Sequence, residues 1–256
     1  MNRLKEKFQK NELSVGTFTQ LISPTAVECL GQTGLDYVII DTEHCPVDIN
    51  FLTAAITAAD AAGIVPLVRI NDIARSKVLQ PLDYGAKGLI VPAVETVEEV
   101  RKLVEFAKFA PLGNRGFCPS RDGGWGYDEV SQQGVDAYFA NANSETLLIP
   151  QCETAGCLAH IEEITAMDGV DGIFVGPFDL SIALGHPMEF DCAEMKTAMK
   201  RILDACHKNG KIAFFFCGDI ATAQARAAEG YDSVATGLDV KMLIDAYRDM
   251  VWEIRG

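Results

Sequence analysis

Apolar residues gather in eight short runs rich in Val, Ile, Leu and Phe, at 14–18, 37–41, 65–69, 88–91, 147–151, 172–175, 212–216 and 233–236. The run Tyr37-Val38-Ile39-Ile40 is apolar on both faces before it ends at Asp41, as a strand buried in a parallel sheet should be. Between the runs lie segments of helical period with capping signals at their ends. Ser23-Pro24 opens a helix running to about Gly31, with proline where its missing N–H costs nothing. Asp48 caps a helix over 51–62 that stops at Gly63, and Thr96 caps one through Ala107 with Glu98 and Glu99 in its first turn. Helices over 74–82, 155–166, 193–208, 220–229 and 240–254 complete the alternation. Eight strands alternating with helices, without a linker, predict one (β/α)8 barrel over residues 1–256 rather than an open sheet. No Gly-x-Gly-x-x-Gly follows the first strand, which removes a dinucleotide fold.

The rhythm breaks over about 111–146, where five glycines surround Arg115, Arg121 and Trp125. So long a connection is expected to be ordered and to face a ligand. The chain length suits a barrel of roughly 250 residues. A net charge of −14 and a pI near 4.7 argue against nucleic acid or an anionic membrane as partner, since both demand a basic surface. The charged start Met1-Asn2-Arg3-Leu4-Lys5 has no apolar stretch behind it, and no apolar run reaches the ~18 residues of a membrane span. Eight cysteines scattered through apolar segments read as reduced thiols of a cytoplasmic protein. Cys152 and Cys157, with no second pair, say little for a zinc site.

In parallel α/β folds the chemistry gathers just past the carboxyl ends of the strands. There the second strand delivers Asp41, Glu43 and His44, the third Arg69, the fifth Gln151 and Glu153, and the sixth Asp179. Any one of these alone reads equally well as a solvated or structural group; their convergence on one rim gives them weight. Glu153 and Asp179 are hard oxygen donors suited to Mg²⁺ or Mn²⁺, and without a cation two facing carboxylates would repel. Arg69 offers a planar fork for a carboxylate or a developing enolate oxygen. His44 can act as a general base near neutral pH.

The same residues carry a resemblance. Val-Ile-Ile-Asp-Thr-Glu-His (38–44), Pro-Leu-Val-Arg-Ile (66–70), Gln-Cys-Glu-Thr (151–154) and Gly-Val-Asp-Gly-Ile-Phe-Val-Gly-Pro-Phe-Asp-Leu-Ser (169–181) resemble the HpcH/HpaI aldolase family, in order and over nearly the whole chain. Its members include 4-hydroxy-2-oxoheptanedioate aldolase and 2-dehydro-3-deoxyglucarate aldolase. The resemblance implies a TIM barrel of the phosphoenolpyruvate/pyruvate type. It implies a class II aldolase, dependent on Mg²⁺, Mn²⁺ or Co²⁺, that cleaves a 4-hydroxy-2-oxo acid or a 2-keto-3-deoxy sugar acid to pyruvate and an aldehyde. By the same resemblance Glu153 and Asp179 match metal ligands, Arg69 an enolate-stabilising arginine and His44 the base, with Asp41 and Asp83 in support. Gln151 matches a residue lining the pyruvate site, and the backbone of Gly176, Pro177 and Phe178 one that binds its carboxylate. Phe216-Cys217 and the 115–125 loop depart from the better-known members and bear on the aldehyde, with Phe216 beside the substrate. The family also implies a homo-oligomer, a hexamer built as a trimer of dimers, whose last helix packs on a neighbour. Two alternatives stand beside this reading: a citrate lyase β-like enzyme acting on an acyl-CoA, and a non-catalytic binder of metal and 2-oxo acids. A Schiff-base aldolase is disfavoured because Lys87 and Lys211 precede their strands, on the face away from the rim.

Overall fold

In the computed structural model, which describes residues 2–256, the eight apolar runs pair in sequence order and close into a parallel barrel. The strands are β1 (Ser14–Thr19), β2 (Tyr37–Asp41), β3 (Val65–Arg69), β4 (Gly88–Val91), β5 (Leu147–Cys152), β6 (Gly172–Val175), β7 (Ile212–Cys217) and β8 (Ser233–Leu238). Around them run α1 (Arg3–Gln9), α2 (Pro24–Gly31), α3 (Ile49–Ala62), α4 (Arg75–Asp83), α5 (Val97–Ala107) and α6 (Val135–Glu145). The second half adds α7 (Ala155–Ala159), α8 (Ile161–Ala166), α9 (Pro177–Ala183), α10 (Ala193–Lys208), α11 (Ile220–Glu229) and α12 (Asp239–Arg255). The fold is the expected (β/α)8 barrel, and the helix starts read at Ser23, Asp48 and Thr96 are present. Asp48 accepts from the Phe51 amide, Thr96 and Glu99 form a reciprocal capping box, and Gly63 ends α3 in the left-handed region at φ 72°.

Alternation along each strand sorts residues between two cores. Tyr37, Ile39, Leu67, Ile90, Ile149, Phe174 and Phe214 fill the barrel, while Val38, Ile40, Val68, Leu89 and Leu148 pack outward on the helices. The Tyr37 ring passes over β1 toward β8 because β1 carries glycine opposite it; a Cβ on Gly16 would lie 2.2 Å from that ring. Its hydroxyl accepts from Ser233 Oγ at 2.9 Å.

Several elements differ from the expectation. Helix α1 was masked by its charge, yet its Leu4 is buried in the barrel's inner core. The Asn2 side chain holds α1 there by donating to the Lys87 and Glu145 carbonyls. The segment 155–166 breaks at His160 into α7 and α8. Connection 111–146 is not a structureless loop, since it contains two 3-10 turns and α6, in which only Tyr138 and Ala142 are buried. Nor does it face the rim where the candidate chemistry lies. It links the end of a helix to the start of β5, so it lies at the opposite end of the barrel. There Arg115 pairs with Asp83 and Asp122, and Arg121 with Asp60.

Candidate active site

The inward parity of β2 and β3 continues one step past their apolar layers to Asp41 and Arg69, which are register partners. Asp41 is fully buried and takes Arg69 side-on, Nε to Oδ1 at 2.9 Å and Nη2 to Oδ2 at 2.7 Å. Gln20, the next inward position beyond Phe18 on β1, donates to the same carboxylate at 3.2 Å. Burial alone would raise the Asp41 carboxyl, but Arg69 and Gln20 together outweigh it and hold the group below the ordinary carboxylate range. The guanidinium also lies 4.7 Å over the Phe18 ring. Arg69 is therefore fixed in one orientation by two bonds and a ring face.

Glu43 sits between Arg69 and His44, 3.2 Å from Arg69 Nη1 and 3.6 Å from His44 Nε2. The sequence put it on the rim without a part to play; the structure makes it the link between His44 and Arg69. The His44 side chain is 64% exposed, open to a ligand entering from above.

Glu153 lies buried beyond the end of β5. Its Oε1 accepts from the Ala93 amide at 2.7 Å, and Gln151 Nε2 donates to its other oxygen. Ala93 reaches it from a left-handed conformation, φ 52°, which is rare for alanine and strained. Burial pushes the Glu153 carboxyl up to about 7; the Ala93 amide opposes this, while Asp179 and Glu43 add to it. Asp179, in the first turn of α9, is exposed toward the same mouth. Gly176 is tightly constrained here, since a Cβ on it would lie 2.6 Å from Glu153 Oε2 and 2.7 Å from Gln151 Nε2.

A cavity of about 280 Å³ opens here, lined by the polar His44, Arg69, Gln151 and Asp179 together with the apolar Phe18, Phe178, Phe216 and Leu238, and Glu153 adjoins it through Gln151. A larger one, about 460 Å³, lies at the far end of the barrel beside Asn2 and Lys87 and holds none of the rim residues. The donor set tests whether a cation fits the smaller one. Glu153, Asp179 and Gln151 offer only oxygens, Gln151 Oε1 is buried without a hydrogen-bond partner, and Glu153 is short of positive charge. These features suit a hard divalent ion.

One expected member is missing from this constellation. Asp83 closes α4 at the end of the barrel away from the rim, because α4 descends from the top of β3, and its carboxylate accepts from Arg115 at 2.7 Å. Within one chain it anchors the 111–146 connection and does not meet His44.

The family model for HpcH/HpaI aldolase/citrate lyase matches residues 14–246. The chain belongs to that family. It is 32% identical to a hydroxypyruvate/pyruvate aldolase of Rhizorhabdus wittichii, over 100% of this chain and 99% of that one. It is also 32% identical to a 2-keto-3-deoxy-L-rhamnonate aldolase of Klebsiella pneumoniae, covering 96% and 90% of the two chains. A family structure from Burkholderia cenocepacia superposes over the whole of both chains with TM-score 0.91 at 32% identity. Another, an HpcH/HpaI aldolase from Desulfitobacterium hafniense, gives 0.90 at 29% over 100% and 97%.

Proposed function

We propose that this HpcH/HpaI protein is a class II aldolase that cleaves a 4-hydroxy-2-oxo acid, or a 2-keto-3-deoxy sugar acid, to pyruvate and an aldehyde. The observation that carries the reading is an arginine locked by a buried aspartate on a cavity whose Gln151 and Gly176 border a buried, charge-starved glutamate, Glu153. Mg²⁺, Mn²⁺ or Co²⁺ held by Glu153 and Asp179 would polarise the 2-oxo group of the substrate. Arg69, already oriented, meets negative charge developing on that oxygen without reorganising. The amides opening α9 after Gly176 suit the carboxylate. His44 accepts the 4-hydroxyl proton as the C3–C4 bond breaks. The electron pair of that bond moves toward the 2-oxo oxygen, and protonation at C3 then completes pyruvate. Phe178, Phe216 and Phe18 form the wall against which the aldehyde portion rests, with ring centroids 5.6 Å apart from Phe216 to each of the others.

Among the lining residues Arg69 is the only arginine or lysine, which favours a small 2-oxo acid over the diphosphate of an acyl-CoA and supplies no Schiff-base lysine. The direct test is retro-aldol turnover across a panel of 4-hydroxy-2-oxo acids, read by pyruvate formation, alongside exchange of pyruvate methyl protons in D₂O. Aldolase chemistry requires both; a protein that binds pyruvate with Mg²⁺ and exchanges nothing is a binder.

Arg69→Lys is expected to lower kcat by on the order of 10²-fold, because an ammonium cannot grip Asp41 with two bonds and still face the substrate. Near-normal turnover in the lysine variant would reduce Arg69 to a structural part.

The proposal includes a homo-oligomer. Helix α12 is tied down at its start, where Asp239 accepts from Thr19 Oγ and the Gln20 amide. Beyond that it exposes Leu243, Tyr247, Met250, Trp252 and Ile254, with Trp252 76% accessible. Such a surface is costly in water and fits a neighbouring subunit. Trp252→Glu with Ile254→Glu should shift the sedimentation coefficient toward smaller species; an unchanged value would mean α12 is not at the interface.

A further inference from the structure

A second cluster of metal-binding side chains lies outside the cavity, in the connection between α9 and α10. The turn is knitted by its backbone. The His186 amide donates to the Ser181 carbonyl at 2.8 Å, Met188 to Ser181 Oγ at 3.0 Å, Glu189 to the His186 carbonyl at 3.0 Å and Cys192 to that of Glu189 at 3.2 Å. This brings one ligand atom each from His186, Cys192 and Glu194 within 4.8 Å of one another. Bonds of about 2.0–2.3 Å to a tetrahedral ion place its ligands roughly 3.3–3.8 Å apart. His186 Nε2 and Glu194 Oε2 already stand at 3.7 Å, and the partly exposed Glu194 and Cys192 can rotate to close the set.

Two features fit a metal site better than a chance cluster. Glu189 lies 3.5 Å from His186 Nδ1 while Nε2 faces Glu194. A carboxylate on the far nitrogen is the usual way a metal-bound imidazole is oriented. Cys192 is the N-cap of α10, its sulfur accepting from the Met195 amide at 3.5 Å. Ser, Thr, Asp or Asn serve that position better, so the cap does not require a thiol, whereas a soft ligand does.

We propose that His186, Cys192 and Glu194 form a second cation site that takes zinc or a similarly thiophilic divalent ion, with Glu189 orienting the imidazole and water in the fourth position. Its mixed sulfur, nitrogen and oxygen donors prefer a different class of ion from the all-oxygen set at Glu153 and Asp179. The turn also carries Phe190, edge-on to Phe178 at 5.4 Å. A bound ion would therefore fix the segment behind the cavity's aromatic wall.

Cobalt separates the two sites, because only this one supplies a thiolate. In Glu153→Gln/Asp179→Asn the protein should bind one equivalent of Co²⁺ with a thiolate-to-metal charge-transfer band, lose the band to added Zn²⁺, and gain Tm with Zn²⁺. Cys192→Ser keeps a capping hydroxyl and should abolish the band, while His186→Ala should weaken binding at least tenfold. Should the double variant not fold, the same proposal requires two equivalents on the wild-type chain and one on Cys192→Ser. Absence of a thiolate band, or a band surviving Cys192→Ser and so belonging to another cysteine such as the exposed Cys29 or Cys118, overturns it.

Discussion

Glu153→Gln is expected to reduce retro-aldol turnover by on the order of 10⁴-fold, with cation affinity at the rim site falling in parallel. Lewis-acid stabilisation contributes several kcal/mol to such a reaction, and each ~1.4 kcal/mol is a factor of ten. The amide keeps the shape and can still accept from the Ala93 amide, so the loss reports the negative charge. Chelation of the wild type should do the same and be reversed by Mg²⁺, Mn²⁺ or Co²⁺. Full turnover after exhaustive chelation would remove the metal from the mechanism.

The raised Glu153 pKa, about 7, gives the effect a pH dependence. Between the ordinary glutamate value and 7 the folded state binds a proton that the unfolded chain has released. Metal-free stability therefore falls as pH rises through this window and levels off above it. The Gln variant, which has nothing to ionise, should melt several degrees higher than metal-free wild type at pH 8 and lose that advantage near pH 4.5. Metal binding runs the other way. It needs the carboxylate, so affinity should weaken about tenfold per pH unit below 7 and stay flat above it. Affinity independent of pH from 5 to 8 would show that Glu153 is not a ligand.

Much of this site could be read before the fold was known because strand parity is rigid. Once Tyr37 and Ile39 point inward, Asp41 follows, and the same count turns Arg69, Gln151 and Phe216 inward. What periodicity hid were elements held by few apolar contacts. Helix α6 buries only Tyr138 and Ala142, and α9 is a single short stretch whose Gly-Pro start reads as a turn. Connection 111–146 was misread as facing the rim. Glycines, aromatics and arginines mark an ordered segment but carry no information about which end of the barrel it occupies. The helix-to-strand direction decides that, and it sends the connection to the bottom, where Asp83 of the same chain meets it. Glu43 was visible on the rim, but its role depends on a side-chain direction that no spacing fixes. The Ala93 amide had no signal at all, since its function rests on one unusual backbone angle.

His44→Ala is expected to lower turnover by ~10²–10⁴-fold, the usual range for a positioned acid–base group, while leaving rim-site metal affinity unchanged. The two effects separate because of where the side chain sits. His44 is exposed and touches Glu43, whereas Glu153 is buried against the Ala93 amide and Gln151. Glu43 complicates the readout, because it joins His44 to Arg69, which the proposed mechanism sets beside the substrate oxygen. Loss of the imidazole could therefore act by loosening the Glu43–Arg69 contact rather than by removing a base. His44→Gln controls for this, since it leaves a polar side chain beside Glu43 but cannot take a proton. If His44 is the base, Ala and Gln should be equally slow, and added imidazole should restore part of the rate in the Ala variant. If Gln turns over like wild type, His44 serves to position Glu43 and Arg69. If metal affinity collapses together with turnover in both variants, His44 is a ligand, and the rim site is built from one nitrogen and two carboxylates.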